Sequence, residues 1–266
     1  MERSSDAALV APCVAFVTLG CAKNEADTAR MRVRLAEAGF LIEDDPAEAD
    51  AVVVNTCSFI QSATEESIEA VFDAAGMPNI VAGCMPARYG EDLADELVEA
   101  RAFVPCSRED DIAAIVADAL GVDAPGGGAA ASVTLSASGG AAEVEGSRAA
   151  LAALPAAPFA YVKISDGCDR FCTYCTIPYI RGRYRSFPLD DVRSDVAAQV
   201  AAGAREIVLI AQDTGRWGAD FDEPSSLAAL VAALAEEFPQ TWFRIMYIQP
   251  EGLSDELLDA VAAHDN

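Results

Sequence analysis

Histidine is nearly absent: His264 is the only one in 266 residues. A closed zinc site of mixed cysteine and histidine ligands therefore has no imidazole donor near the cysteines. Basic residues are scarce too, with 18 Lys plus Arg against 43 Asp plus Glu and a formal net charge of −25. That balance excludes a chain that grips naked nucleic acid through a general basic surface, so no direct DNA binding is expected. The field would attract a basic partner, or simply keep the protein soluble. Long apolar runs are missing as well. None approaches the roughly 20 residues of a membrane helix, and the opening MERSSDAALVAPC is too broken for a signal peptide. The expectation is a cytoplasmic chain without membrane contact. In that compartment eight cysteines point to metal or redox chemistry and not to a disulfide framework.

What is present fits a globular protein with room for two domains: 52% apolar and 23% charged residues over this length. Short β-rich runs at 14–19, 51–55, 79–82 and 102–104 alternate with helical periodicity at 26–38, 61–75, 90–99 and 109–120. Such alternation predicts βαβ units, so residues 1–124 read as an α/β domain with a parallel sheet. Residues 125–158 are rich in Gly, Ala and Ser and read as a linker. From 159 to 266 strands at 159–164, 206–211 and 242–248 alternate with helices at 189–202, 226–237 and 254–263. These three βα units are expected to form part of a (β/α) barrel, whose closure needs more strands.

The sharpest local signal is Cys168-Asp-Arg-Phe-Cys172-Thr-Tyr-Cys175, directly after a predicted strand. Thiolates are soft ligands for iron–sulfur clusters or zinc, and three closely spaced in one loop can face one centre while leaving a coordination position open. Cys21, Cys57 and Cys84 are far apart in sequence, yet each comes one or two residues after a predicted strand. All strand ends of one sense lie along one edge of a parallel sheet, so these three can converge there; burial as small apolar side chains is the competing reading. Cys106 also follows a short strand, so position alone leaves it in contention, whereas Cys13 precedes the first strand.

Around the second cysteine group the balance turns basic. Lys163, Arg170, Arg181, Arg183 and Arg185 face only Asp166 and Asp169. This is either a solvated loop or a patch for an anionic cofactor or carboxylate. Gln212 and Asp213 end the next predicted strand at the same edge, where barrels place ligand-binding groups, although turn or capping roles suit them equally.

The segment YVKISDGCDRFCTYCTIPYIRGRYRSFP resembles the core motif of radical S-adenosylmethionine methylthiotransferases. TLGCAKNEADT, VNTCSFIQSATEESI and GCMPARYG are similar to the three cysteine segments of that family's amino-terminal domain. LGCAKN, LIAQDTGRWG and WFRIMYIQPEGLSDELLDAVAAHDN resemble its ribosomal-protein branch. The tRNA branch usually carries FGCQMN and a GQN-type motif instead. The resemblance implies methylthiolation of the β-carbon of an aspartate in small-subunit ribosomal protein twelve. Cys168, Cys172 and Cys175 would hold one [4Fe–4S] cluster, with S-adenosylmethionine on its open iron, and Cys21, Cys57 and Cys84 a second. S-adenosylmethionine would be both methyl donor and radical source, with Tyr174, Gln212 and Asp213 in the segments lining its site. Cys106 becomes structural on this reading. The implied partners are a basic ribosomal protein and an electron donor. Family members continue through further barrel units into a TRAM domain, so a C-terminally truncated core is expected. The competing activities are tRNA adenosine methylthiolation and, in another class, a non-catalytic iron–sulfur protein.

Overall fold

Val14, Ala51, Val53, Ile80 and Ala82 point to one face of the first sheet, and Ala15, Val52, Val54 and Val81 to the other. That period-two alternation with both faces apolar is the pattern of a parallel sheet covered on two sides. The computed structural model describes residues 11–123 and 157–266. In its first part five parallel strands run in the order β2-β1-β3-β4-β5: β1 Cys13–Thr18, β2 Leu41–Glu43, β3 Ala51–Thr56, β4 Asn79–Gly83 and β5 Ala100–Pro105. Helices α1 (Ala22–Glu37) and α5 (Ile112–Leu120) cover one face through Met31, Leu35, Ile112 and Val116. The other face is covered by α2 (Gln61–Asp73), α3 (Cys84–Tyr89) and α4 (Asp92–Glu96), with Val71, Met85, Leu93 and Leu97. Each such buried aliphatic side chain contributes about 1.5–3 kcal/mol.

The α/β class and the four expected strands are present. Within the predicted helix over 90–99 only Asp92–Glu96 is helical, and a further short helix, Cys84–Tyr89, precedes it and ends where Gly90 takes a positive φ. The predicted helix over 109–120 begins as a 3-10 turn, Cys106–Asp111, and becomes α-helical at Ile112. Strand β2 was not expected.

In the second part β6 (Phe159–Lys163), β9 (Glu206–Ile210) and β10 (Trp242–Ile245) form a parallel sheet in the order β10-β9-β6. Its helices α7 (Leu189–Ala201), α8 (Leu227–Glu237) and α9 (Asp255–Ala263) bury Val192, Val196, Leu230, Leu234 and Leu257 against Val162, Ile207 and Leu209. The three expected βα units are therefore there, as a three-stranded parallel sheet. Two two-residue strands, β7 (Ser165–Asp166) and β8 (Arg185–Ser186), pair antiparallel and pinch the cysteine loop between them; a short helix, α6 (Ile177–Ile180), lies inside it. The Gly/Ala segment expected as a linker lies outside the described residues except at its end. No helix among the described residues is long and apolar enough to cross a membrane.

The two sheets meet through α1. Ala22 and Ala26 pack on Val208 and Ile210 of β9, with Tyr161 and Met246 beside them. The opposite side of the same helix is buried on its own sheet through Met31 and Leu35. The start of α1, and Cys21 just before it, is thereby fixed at the junction.

Candidate functional site

In the 2-1-3-4-5 sheet the strand order reverses between β1 and β3, and the crevice at the carboxyl ends of those strands is where such folds bind ligands. Cys21 leaves β1, Cys57 leaves β3 and Cys84 leaves β4, all at that edge. Asn24, fully buried in the first turn of α1, gathers them. Its Oδ1 is 4.0 Å from the Cys21 sulfur and 3.8 Å from the Cys84 sulfur, and its Nδ2 donates to the carbonyls of Leu19 and Thr56 at 2.9 Å each. Cys57 is held by its backbone: its N–H donates to Ser67 Oγ at 3.0 Å, and that hydroxyl donates to the Cys57 carbonyl at 2.8 Å.

Gly20 brings the β1 turn against Cys57. It has φ +94°, and a Cβ there would sit 2.5 Å from Cys57 Cβ and 2.9 Å from its sulfur. Gly20→Ala is expected to cost about 1–3 kcal/mol in backbone strain. It should also displace Cys57, so metal uptake at this triad falls while uptake at Cys168, Cys172 and Cys175 persists. Thermal denaturation and metal analysis of each triad check both parts.

The neighbouring Cys106 and Cys57 thiols, with Arg181 alongside, draw the Cys84 thiol well below its ordinary value. Cys57 and Cys106 are pushed up correspondingly, by the neighbouring Cys84 and by burial. Cys106 comes to lie there because Pro105 is the register partner of Gly83, so the two cysteines occupy the next positions on neighbouring strands. Among the described residues no three His, Cys, Asp or Glu side chains are grouped to ligate one metal ion. A multi-iron cluster binds each thiolate through a different iron, so it suits more widely spaced donors.

The second triad lies in the loop that β7 and β8 close. Cys168 N–H donates to the Gly182 carbonyl at 3.1 Å and Cys175 N–H to the Cys172 carbonyl at 2.9 Å. Cys172 is exposed, and Cys168 and Cys175 are half-buried. Gly167 allows the turn: at φ +75°, a Cβ would lie 2.1 Å from the Arg183 carbonyl oxygen. Phe171 also has a positive φ, 46°, and its ring is held edge-on by Tyr179 and covered by Arg183. Such strain in a non-glycine residue is typical of functional loops.

Of the three predicted cofactor contacts, Tyr174 projects into solvent, 85% exposed. Gln212 donates to Asp166 Oδ1 at 3.0 Å, and Asp213 holds Arg170 of the cysteine loop at 2.8 Å. Gln212 Oε1 and Asp213 Oδ1 are buried acceptors with no hydrogen-bond partner among the described residues.

The two triads are joined by a buried ion lattice. Lys163 at the end of β6 pairs with Asp27 of α1 and, at 2.7 Å, with Asp166. Arg181 pairs with Asp27 at 2.9 Å and Asp166 at 3.2 Å, donates to Asn24 Oδ1 at 2.8 Å, and reaches the Cys84 sulfur at 3.7 Å. Burial opposes the charged forms, but the neighbouring opposite charges prevail: Lys163 and Arg181 are held above their ordinary values and Asp166 below its own. The loop that reads as a basic patch in sequence is thus largely neutralised internally. Arg170 is paired as well, with Asp213 and Glu251.

Residues 13–105 match the model of Uncharacterized protein family UPF0004. The ribosomal protein uS12 methylthiotransferase RimO of Trichlorobacter lovleyi is 38% identical over 92% of this chain and 54% of its own length. RimO of Geobacter sulfurreducens is 39% identical over 93% and 55%, respectively. Over most of its length the chain is thus similar to methylthiotransferases of ribosomal protein uS12. It spans about half the length of the curated relatives it matches. A solved structure of the radical S-adenosylmethionine methyltransferase TsrM from Kitasatospora setae, with cobalamin and a [4Fe–4S] cluster bound, is similar in fold at a TM-score of 0.58 and 14% identity. That likeness covers 96% of this chain and 59% of that one.

The residues that sequence reading missed are Asn24 and Asp27. Both are polar at i and i+3 on α1, and both are buried, at 0% and 1% exposure. At i−7 and i−4 from Met31 they continue the stripe of Met31 and Leu35, and polar residues on that apolar stripe were the available signal.

Proposed function

We propose that this chain carries the two cluster-binding parts of an enzyme that methylthiolates the β-carbon of an aspartate in small-subunit ribosomal protein twelve. The observation that carries it is the meeting of two three-thiol sites at one junction: α3, which begins with Cys84, packs on α6, which follows Cys175. Cys21, Cys57 and Cys84 would hold one [4Fe–4S] cluster, and Cys168, Cys172 and Cys175 the other, each with an open position because only three thiolates are supplied. The soft donor set fits such clusters. When bound, the clusters and S-adenosylmethionine supply the radical and sulfur chemistry that side chains lack.

The protein's own residues do the positioning. Asn24 and Ser67 fix the first triad, and the β7–β8 pair fixes the second. The open acceptors Gln212 Oε1 and Asp213 Oδ1 suit the N–H donors of an amino-acid-bearing cofactor. Tyr174 is assigned to the same site by position in the motif. The apolar contact of Ala22 and Ala26 with Val208 and Ile210 keeps water from this side of the junction. A net charge of −25 favours a basic protein over RNA as partner, and a separate electron donor is required.

The test is to reconstitute the chain with iron and sulfide, then add reductant, S-adenosylmethionine and either the ribosomal protein or tRNA. Mass spectrometry is expected to find the methylthio mass on the protein's aspartate. Modification of tRNA alone would replace the substrate assignment. Two loaded clusters without modification of either would reduce the chain to a non-catalytic iron–sulfur protein.

A further inference from the structure

We propose that Arg181 is a positioning residue for the first cluster, linking the Cys84 sulfur to the second domain so that docking of the two domains sets the first site's reduction potential. The inference rests on the reading that Cys21, Cys57 and Cys84 hold a cluster. Arg181 is 2% exposed at its side chain, and both terminal nitrogens of its fork are engaged. Nη1 engages Asp27 and Asp166, and Nη2 engages Asn24 Oδ1 and the Cys84 sulfur. A residue needed only to balance charge would stop at the carboxylates, since Lys163 and Arg181 already match Asp27 and Asp166 one for one. The bonds to Asn24 and Cys84 go beyond that balance, and both end on the first triad. A lysine could not make them together, because it lacks the planar fork.

Arg181 is also tied to the second triad. The next residue, Gly182, accepts from the Cys168 N–H at 3.1 Å, and Asp166 lies two residues before Cys168. One side chain therefore touches a ligand of the first site while its own backbone neighbour holds a ligand of the second. Hydrogen bonds to sulfur and nearby net charge set cluster potentials. Loss of a cationic donor makes reduction of a thiolate-bound centre harder.

The experiment uses the full chain with Cys168, Cys172 and Cys175 changed to alanine, so that only the first site can load. Potentiometric titration followed by electron paramagnetic resonance reads its potential. Arg181→Gln is expected to shift the one-electron reduction equilibrium at least tenfold toward the oxidised form, about 59 mV more negative. Arg181→Lys keeps the charge and should shift it less. Arg183→Gln, whose guanidinium is 79% exposed and pairs with Asp169 at 3.6 Å, should leave it unchanged. Equal potentials in loaded Arg181→Gln and its parent overturn the proposal, as does an equal shift in Arg183→Gln. If Arg181→Gln does not load, Arg181→Lys carries the measurement. Failure of both to load, with far-ultraviolet circular dichroism unchanged and the second site loading normally in the chain with its cysteines intact, supports it. A parent that binds no iron at all sinks the underlying cluster reading, and iron analysis tells that failure apart.

Discussion

Lys163→Met is expected to destabilise the junction by about 3–5 kcal/mol, the cost of leaving a buried charge without its partner. Lys163 and Asp27 are 3% and 1% exposed, and after the change Asp27 and Asp166 would share Arg181 alone. Urea unfolding followed through Trp217, buried in the second core, gives the measurement. The companion variant separates a bare charge from lost packing. Asp27→Leu combined with Lys163→Met removes both signs at once, and replacing a buried ion pair by apolar side chains is often close to neutral. The double variant should therefore recover most of what either single variant loses, and the coupling appears as non-additivity in a double-mutant cycle. Additive losses would mean that the pair stabilises through shape and not charge. Because two cores share the junction, a broadened or two-step transition in the single variants is part of the expected result.

Cys57→Ala is expected to remove about half of the iron bound by the reconstituted chain, and Cys172→Ala the other half, with the remaining cluster intact in each case. Cys106→Ala should leave both. This last comparison is the discriminating one, because the sheet register puts Cys106 beside Cys84. Iron and sulfide analysis with optical spectra of the three variants reads the outcome. Iron lost from Cys106→Ala and kept in Cys57→Ala would transfer the ligand role from β3's end to β5's. Cys57 is favoured because it follows β3 at the strand reversal and faces Cys21 across Gly20, whereas Cys106 lies one strand further out.

The parallel sheet and the edge of the sheet where the cysteines gather were legible because β1, β3 and β4 are uninterrupted apolar runs with a cysteine just past each end. β2 was not: it has three residues at the sheet edge, and its Leu41 is half exposed, so neither length nor burial marks it. β7 and β8 have two residues each, below any periodicity, and exist because the cysteine loop needs a closure. The ion lattice was hidden for a different reason. Asp27 and Lys163 are 136 positions apart, and each alone reads as an ordinary surface charge. Their pairing is decided by the packing of α1 on the second sheet, which no local pattern encodes.

The same helix has a bearing on modularity. Composition places the border between the two halves in the Gly/Ala stretch after residue 124, but α1 is built for both: Met31 and Leu35 serve one core, Ala22 and Ala26 the other, and Asp27 balances charges supplied by its neighbour. Severing the chain at the compositional border would leave the first half with a carboxylate and an alanine face shaped for an absent surface, and the second with two cations short of a counter-charge. The covalent seam and the energetic seam do not coincide, so this molecule behaves as a pair of halves that complete one another and not as two interchangeable parts.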